Sequence, residues 1–288
     1  MQKPQYRAFA VLMVFTFLGG QAAAKLPKIK TEDLVARHIE SLGAVADRRT
    51  VVANGLCQLT ILAGGAGQLE GPATITSDGE KVAFHFDFQN ANYNHEQFGF
   101  DGEKAFVAFM VPGTRSHLGE FLLTFEELLK EGLIGGPLTT AWPVPHLEER
   151  KAKINVRGGE KVQDKEYYRA EYRIRKGDGN LDVDLFFDPE TFRLVRNEYT
   201  HREPEGIGAF PGTERTGTHP GLAGQNTWRK VVESFAQYQE AQGVSVPTDW
   251  TIEASLSRGG QTQVWQWRVL IQRITFNDPI DPKVFQLK

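Results

Sequence analysis

The chain has 288 residues, 40% of them apolar and 11% aromatic, with 33 Lys and Arg against 36 Asp and Glu. That apolar content supports a packed core and excludes wholesale disorder. The slight acidity gives no electrostatic reason to bind nucleic acid, which excludes that class of partner.

At the N-terminus, Lys3 and Arg7 form a short basic region, Ala8 to Gly20 an uncharged and largely apolar run, and Ala22-Ala23-Ala24 supplies small residues for a signal peptidase. This pattern predicts a secretory signal peptide over residues 1–24, cleaved near Ala24, and the run is too short to span a bilayer. A lipoprotein needs a Cys directly after the cleavage site, and the only cysteine, Cys57, lies far downstream. The expected mature chain is therefore periplasmic, soluble and not itself a lipoprotein: one domain over residues 25–288, with 31 basic against 36 acidic residues once Lys3 and Arg7 are removed. No later apolar run reaches membrane-spanning length, so membrane contact would be peripheral.

Thr31-Glu32-Asp33 predicts a capped helix start before Leu34, Val35, His38, Ile39 and Leu42, with Gly43 as the stop. From Val51 to Val111 the texture is of short β runs separated by Gly, Asn and Asp. Cys57 lies in the first run as a small buried hydrophobe, with no intrachain partner. In Val82 to Phe88 the apolar residues Val82, Phe84, Phe86 and Phe88 alternate with His85 and Asp87. Ser77-Asp78-Gly79-Glu80 and Asp101-Gly102-Glu103 are hairpin signals. A second helix is predicted over Leu118 to Glu131, striped by Leu118, Phe121, Leu122, Phe125, Leu128 and Leu129, before Gly135-Gly136-Pro137 and Trp142-Pro143-Val144-Pro145 break it. Strands follow over Ala152 to Gln163, Glu166 to Arg175, Asp182 to Phe187 and Phe192 to His201. Residues 202–226, with six glycines and three prolines, predict a long exposed loop. Trp228 to Glu240, Val246 to Leu256 and Gln263 to Phe276 predict three long strands, the last pair turned by Gly259-Gly260.

Catalytic patterns are missing: the sequence holds no HExxH, GxSxG or CxxC, and its seven histidines show no metal-ligand spacing. Ser116-His117 read as strand neighbours point opposite ways, a poor nucleophile and base. The glycines from Gly64 to Gly71 lack the spacing and following helix of a phosphate loop and read as a hairpin turn. The expectation is a protein with no enzymatic activity, cofactor or metal. The positive signal is aromatic, with period-two strand residues that either pack a core or line an apolar cavity under a strongly curved sheet. The candidate lining residues are Phe84, Phe86, Phe88, Phe106, Phe121, Phe125, Trp265 and Trp267.

The order of elements, with Phe100-Asp101-Gly102-Glu103-Lys104-Ala105-Phe106-Val107, then Phe186-Phe187-Asp188-Pro189-Glu190-Thr191-Phe192, then Asn277-Asp278-Pro279-Ile280-Asp281-Pro282-Lys283-Val284-Phe285, resembles the periplasmic outer-membrane lipoprotein carrier superfamily. The resemblance implies a mainly β (α+β) fold, a half-open antiparallel β-barrel of about ten strands with two or so helices packed as a lid. It implies a carrier that sequesters a lipid or lipoprotein acyl chain without catalysis. Carriers of the best-known type hold the lid shut with an Arg-Pro after an early strand. The corresponding Thr74-Ile75-Thr76-Ser77-Asp78-Gly79 has no arginine, so that gating does not carry over. The alternative is an envelope protein-interaction module using the curved sheet or the 202–226 loop, and a lipid or glycan hydrolase is a third.

Overall fold

The computed structural model describes residues 26–62, 67–174, 181–202, 228–258 and 261–286. Residues 1–24 and nearly all of the 202–226 loop lie outside that set. The described chain begins with α1 (Thr31–Leu42), which buries Leu34, His38 and Leu42. Its start differs from the sequence expectation. Lys30 is the N-cap and makes no side-chain cap bond, while the Thr31 hydroxyl accepts from the Val156 N–H at 3.2 Å and ties the helix to the sheet edge. Gly43 ends the helix at φ 76°, and any Cβ there would stand 2.3 Å from the Gly243 carbonyl.

Twelve strands then form one antiparallel sheet: β1 (Thr50–Ile61), β2 (Gly67–Asp78), β3 (Lys81–Asn90), β4 (Tyr93–Phe100), β5 (Ala105–Val107), β6 (Lys153–Val162), β7 (Lys165–Arg173), β8 (Leu181–Phe187), β9 (Leu194–Arg202), β10 (Trp228–Ala241), β11 (Val244–Arg258) and β12 (Gln261–Phe276). The order is β5-β4-β3-β2-β1-β12-β11-β10-β9-β8-β7-β6, so the sheet is open, with β5 and β6 at its edges. The half-open architecture is as expected, with twelve strands where about ten were counted. The turns at 79–80 and 101–104 lie where the sequence puts them, and Asp101 Oδ1 secures the second by accepting from the Glu103 and Lys104 N–H groups at 2.7 Å each.

Period-two patterning decides the faces. Register aligns Ile75 with Phe84, Phe84 with Phe98, Leu59 with Trp267 and Trp267 with Ile252, one continuous inner face. His85, Asp87, Arg169, Asp184, Asp249 and Arg268 take the other parity, and the last four form two cross-strand ion pairs there. Phe106 is a correction. The turn pairs Phe100 with Ala105, which sets Phe106 opposite Gly99 on the outer face. There it packs with Ala83 beneath Phe285, carried by the short 3-10 turn Pro282–Phe285. Gly99 leaves room for the ring, since a Cβ would lie 2.6 Å from Phe106 Cζ.

The expected helix over Leu118 to Glu131 is two helices, α2 (His117–Thr124) and α3 (Glu127–Lys130), parted where Phe125 leaves helical geometry at φ −118°, ψ 57°. The predicted stripe is nonetheless buried throughout. A fourth helix, α4 (Leu147–Arg150), precedes β6. Truncating Phe106 empties a buried site without touching the inner face. Phe106→Ala is expected to lose about 3 kcal/mol in urea unfolding, an effect comparable to a core aromatic deletion.

Candidate functional site

Between α3 and α4 the chain runs through the hollow of the sheet. Residues 132–144 are buried without interruption, and little of the run is regular structure. A buried backbone must find partners for its N–H and C=O groups, because water cannot reach them. The partners of this plug come partly from its own turns and partly from polar side chains set into the sheet and α1.

Three groups on the walls hold it. Arg48 donates from its two terminal nitrogens to the Pro137 and Thr139 carbonyls, each at 2.7 Å. Glu233, on the apolar parity of β10, accepts from the Gly135 N–H at 2.8 Å and from Trp250 Nε1 at 2.9 Å. Ser77 Oγ accepts from the Thr140 N–H at 2.9 Å, and the Thr140 hydroxyl donates to the Gly79 carbonyl at 2.8 Å. His38 completes the set. Trp142 Nε1 can only donate, so His38 Nε2 accepts it at 3.1 Å, and His38 Nδ1 carries the proton that goes to the Phe192 carbonyl at 2.9 Å. Burial holds this neutral imidazole down at about 4. Gly135 and Gly136 have positive φ, 81° and 46°, and sit where a Cβ would strike Phe84 at 2.8 Å and Phe235 at 2.9 Å.

α2 crosses the mouth of the hollow. At its start the His117 ring lies 3.9 Å from that of Trp265 on β12, and just past its end Phe125 lies 4.8 Å from His201 on β9. Its N-cap Ser116 accepts from the Gly119 N–H at 2.8 Å and donates to Glu96 Oε1 at 2.7 Å. Glu96, on the inner face of β4, also receives the Tyr93 hydroxyl. Burial pushes its carboxyl up to about 7, against the lowering effect of those two donors. Ser116 is thus a helix cap, not a strand neighbour of His117. Cys57 is buried on the inner face with its thiol raised by burial, as expected of an inert residue.

Of the eight candidate lining residues, Phe84, Phe86, Phe88, Phe121, Phe125, Trp265 and Trp267 pack into or against the main interior cluster, and Phe106 does not. Phe84, Phe86 and Trp250 form one aromatic group, with centroids 5.3 and 6.2 Å from the indole. The plug and α2 cover these residues, so the interior is filled. Recesses of about 450 Å³, at the seam between Phe100 and Tyr172, and about 560 Å³, beside Phe109 and Met110, open on the surface and are lined by none of the eight. Among the described residues no group of three His, Cys, Asp or Glu is placed to hold a metal ion, and no helix is long and apolar enough to cross a membrane.

No family model matches the sequence, and no curated protein is similar to it. Several solved structures share the course of the chain. A LolA superfamily protein from Nitrosomonas europaea is 10% identical over 90% of this chain and 99% of its own, with a TM-score of 0.46. A putative outer membrane lipoprotein-sorting protein domain from Vibrio parahaemolyticus is 9% identical over 88% of this chain and 94% of its own, TM-score 0.39. A DUF1329 family protein from Desulfovibrio piger is 10% identical over 88% and 95%, TM-score 0.39.

Arg48, Glu96 and Glu233 were missed in the sequence. The two glutamates had a signal: each shares strand parity with large apolar residues, Glu96 with Phe98 and Phe100, Glu233 with Val231 and Phe235. Replacing Arg48 by Met leaves two buried carbonyls without donors. It is expected to cost about 2–4 kcal/mol in denaturant unfolding and to speed amide exchange across residues 138–142. The ordinary value for Glu96 is 4.5 and its folded value is about 7, so the folded state holds the proton more tightly. Its stabilisation is complete below pH 4.5 and is lost as pH rises through 7. The wild type is expected to lose on the order of 3 kcal/mol relative to Glu96→Gln between those limits. His38 acts with opposite sign, its stabilisation being lost as pH falls from 6.5 through about 4. The comparison with Glu96→Gln cancels it.

Proposed function

We propose that this chain is a periplasmic carrier that sequesters a lipid or lipoprotein acyl chain inside the half-barrel, without catalysis. One observation carries this reading. The aromatic inner face of the sheet is covered by an irregular segment held through hydrogen bonds, where a permanent core would use a regular amphipathic layer. A plug of that kind can leave and regain its hydrogen bonds in water, and an acyl chain can take its place against the wall. Each buried methylene contributes about 0.8 kcal/mol, so a chain of ten or more carbons offsets the loss of the plug's apolar contacts. The wall for the ligand is then Phe84, Phe86, Phe88 and Trp267, with Phe121, Phe125 and Trp265 on and under the crossing helix.

The test is native mass spectrometry of the mature protein purified from the periplasm, organic extraction of what it holds, and uptake of an environment-sensitive fatty-acid probe. A stoichiometric lipid or acylated peptide is expected, with faster probe uptake by Arg48→Met, whose plug is loosened. Wild type and Arg48→Met that are both empty and both refuse the probe would overturn the carrier and favour an envelope protein partner.

A further inference from the structure

The wall groups that hold the middle of the plug read a specific chemical pattern. Tyr199, on the inner face of β9, has its hydroxyl 3.0 Å from the Leu133 carbonyl and 2.6 Å from Glu233 Oε2. Asn197 Nδ2 donates to Tyr199 Oη and Glu233 Oε2, each at 3.1 Å. The donors balance when Glu233 is neutral. Its O–H goes to Tyr199 Oη, the Tyr199 O–H goes to the Leu133 carbonyl, and Glu233 Oε1 accepts the Gly135 N–H. Burial raises the Glu233 carboxyl and favours that form.

The plug therefore presents to this cluster a carbonyl and an N–H separated by a single residue, Ile134. An acyl chain on the N-terminus of a peptide presents the same pair: the acyl carbonyl, one residue, and the next N–H. A free fatty acid or an ester lipid supplies no such N–H. When the plug departs, Tyr199, Asn197 and Glu233 remain in an otherwise apolar wall, where unpaired polar groups are costly. A ligand that restores both bonds is preferred over one that brings only methylenes. Asn197 Oδ1, fully buried, has no partner among the described residues and offers a second acceptor to a ligand N–H.

We infer that Tyr199, Asn197 and Glu233 form a recognition site for an N-acylated peptide, the acyl carbonyl on Tyr199 and the second residue's N–H on Glu233. The inference rests on the carrier reading above and names its cargo.

The experiment is displacement of the fluorescent fatty-acid probe from the mature chain by three palmitoyl compounds: an N-palmitoyl dipeptide amide, palmitic acid and methyl palmitate. The dipeptide is expected to displace the probe at about one-tenth the concentration of the ester. Tyr199→Phe and Glu233→Met should each bring that ratio close to one, and Glu233→Gln, which keeps an acceptor for the N–H, should preserve it. These variants also loosen the plug, which alters every affinity alike and cancels in the ratio. Tyr199→Phe carries the test alone if Glu233→Met does not fold. Equal displacement by all three compounds, or a ratio unmoved in Tyr199→Phe, would overturn the cargo and leave the carrier standing. A wild type and Arg48→Met that bind neither probe nor competitor would overturn both.

Discussion

Thirteen consecutive buried residues without a helix or strand among them to satisfy their backbone are an unusual demand, and most other polar features of the interior answer it. Arg48 is buried because two carbonyls of the plug need donors. Glu233 is buried because an N–H needs an acceptor and a tyrosine needs a place to send its proton. His38 is neutral because the indole of Trp142 needs a lone pair. Viewed singly, each is a costly burial of a polar or charged group. Together they are the complement of one stretch of main chain.

Such a device sits between core and ligand. A packed helix would shield the aromatic wall at little cost and leave with difficulty, since its contacts are mostly apolar and water gives nothing back. A segment held by main-chain hydrogen bonds forfeits less on release, because water replaces each bond at a net loss of only about 1 kcal/mol. The wall then faces its own unmet donors and acceptors, which is where selectivity among otherwise similar hydrophobic molecules can enter. Glu96 places the same logic at the mouth, with the carboxyl on the sheet and the hydroxyl at the first turn of the crossing helix.

Strand positions, hairpin turns and the two faces of the sheet were legible because each rests on local chemistry: alternation, a glycine, an aspartate turning the chain. Phe106 fell on the wrong face because β5 is only three residues long, too short for alternation to recover its phase after the turn at Asp101. The plug was illegible as a structural element. Gly135-Gly136-Pro137 and Trp142-Pro143 have no period, and aperiodic glycine and proline ordinarily mark surface loops. Only the partners reveal that these residues run inside, and the partners lie far off in sequence: Arg48 is 89 residues from Pro137, and Glu233 is 98 from Gly135. A glutamate at an apolar strand parity was the one local hint.

The strand order carries a consequence for how the molecule comes together. β1 to β5 and β6 to β12 are each plain meanders of neighbouring hairpins, which close short loops and form early. Their single join through hydrogen bonds is the pairing of β1 with β12, where Val51 meets Phe276 and Ile61 meets Trp265, partners more than two hundred residues apart. A chain emerging N-terminus first has no completed hollow for its plug until the last strand arrives. Until then the β1 edge is bare and its aromatic neighbours are uncovered, so the newly exported chain passes through a sticky, half-assembled stage that a chaperone of the envelope would be positioned to shelter.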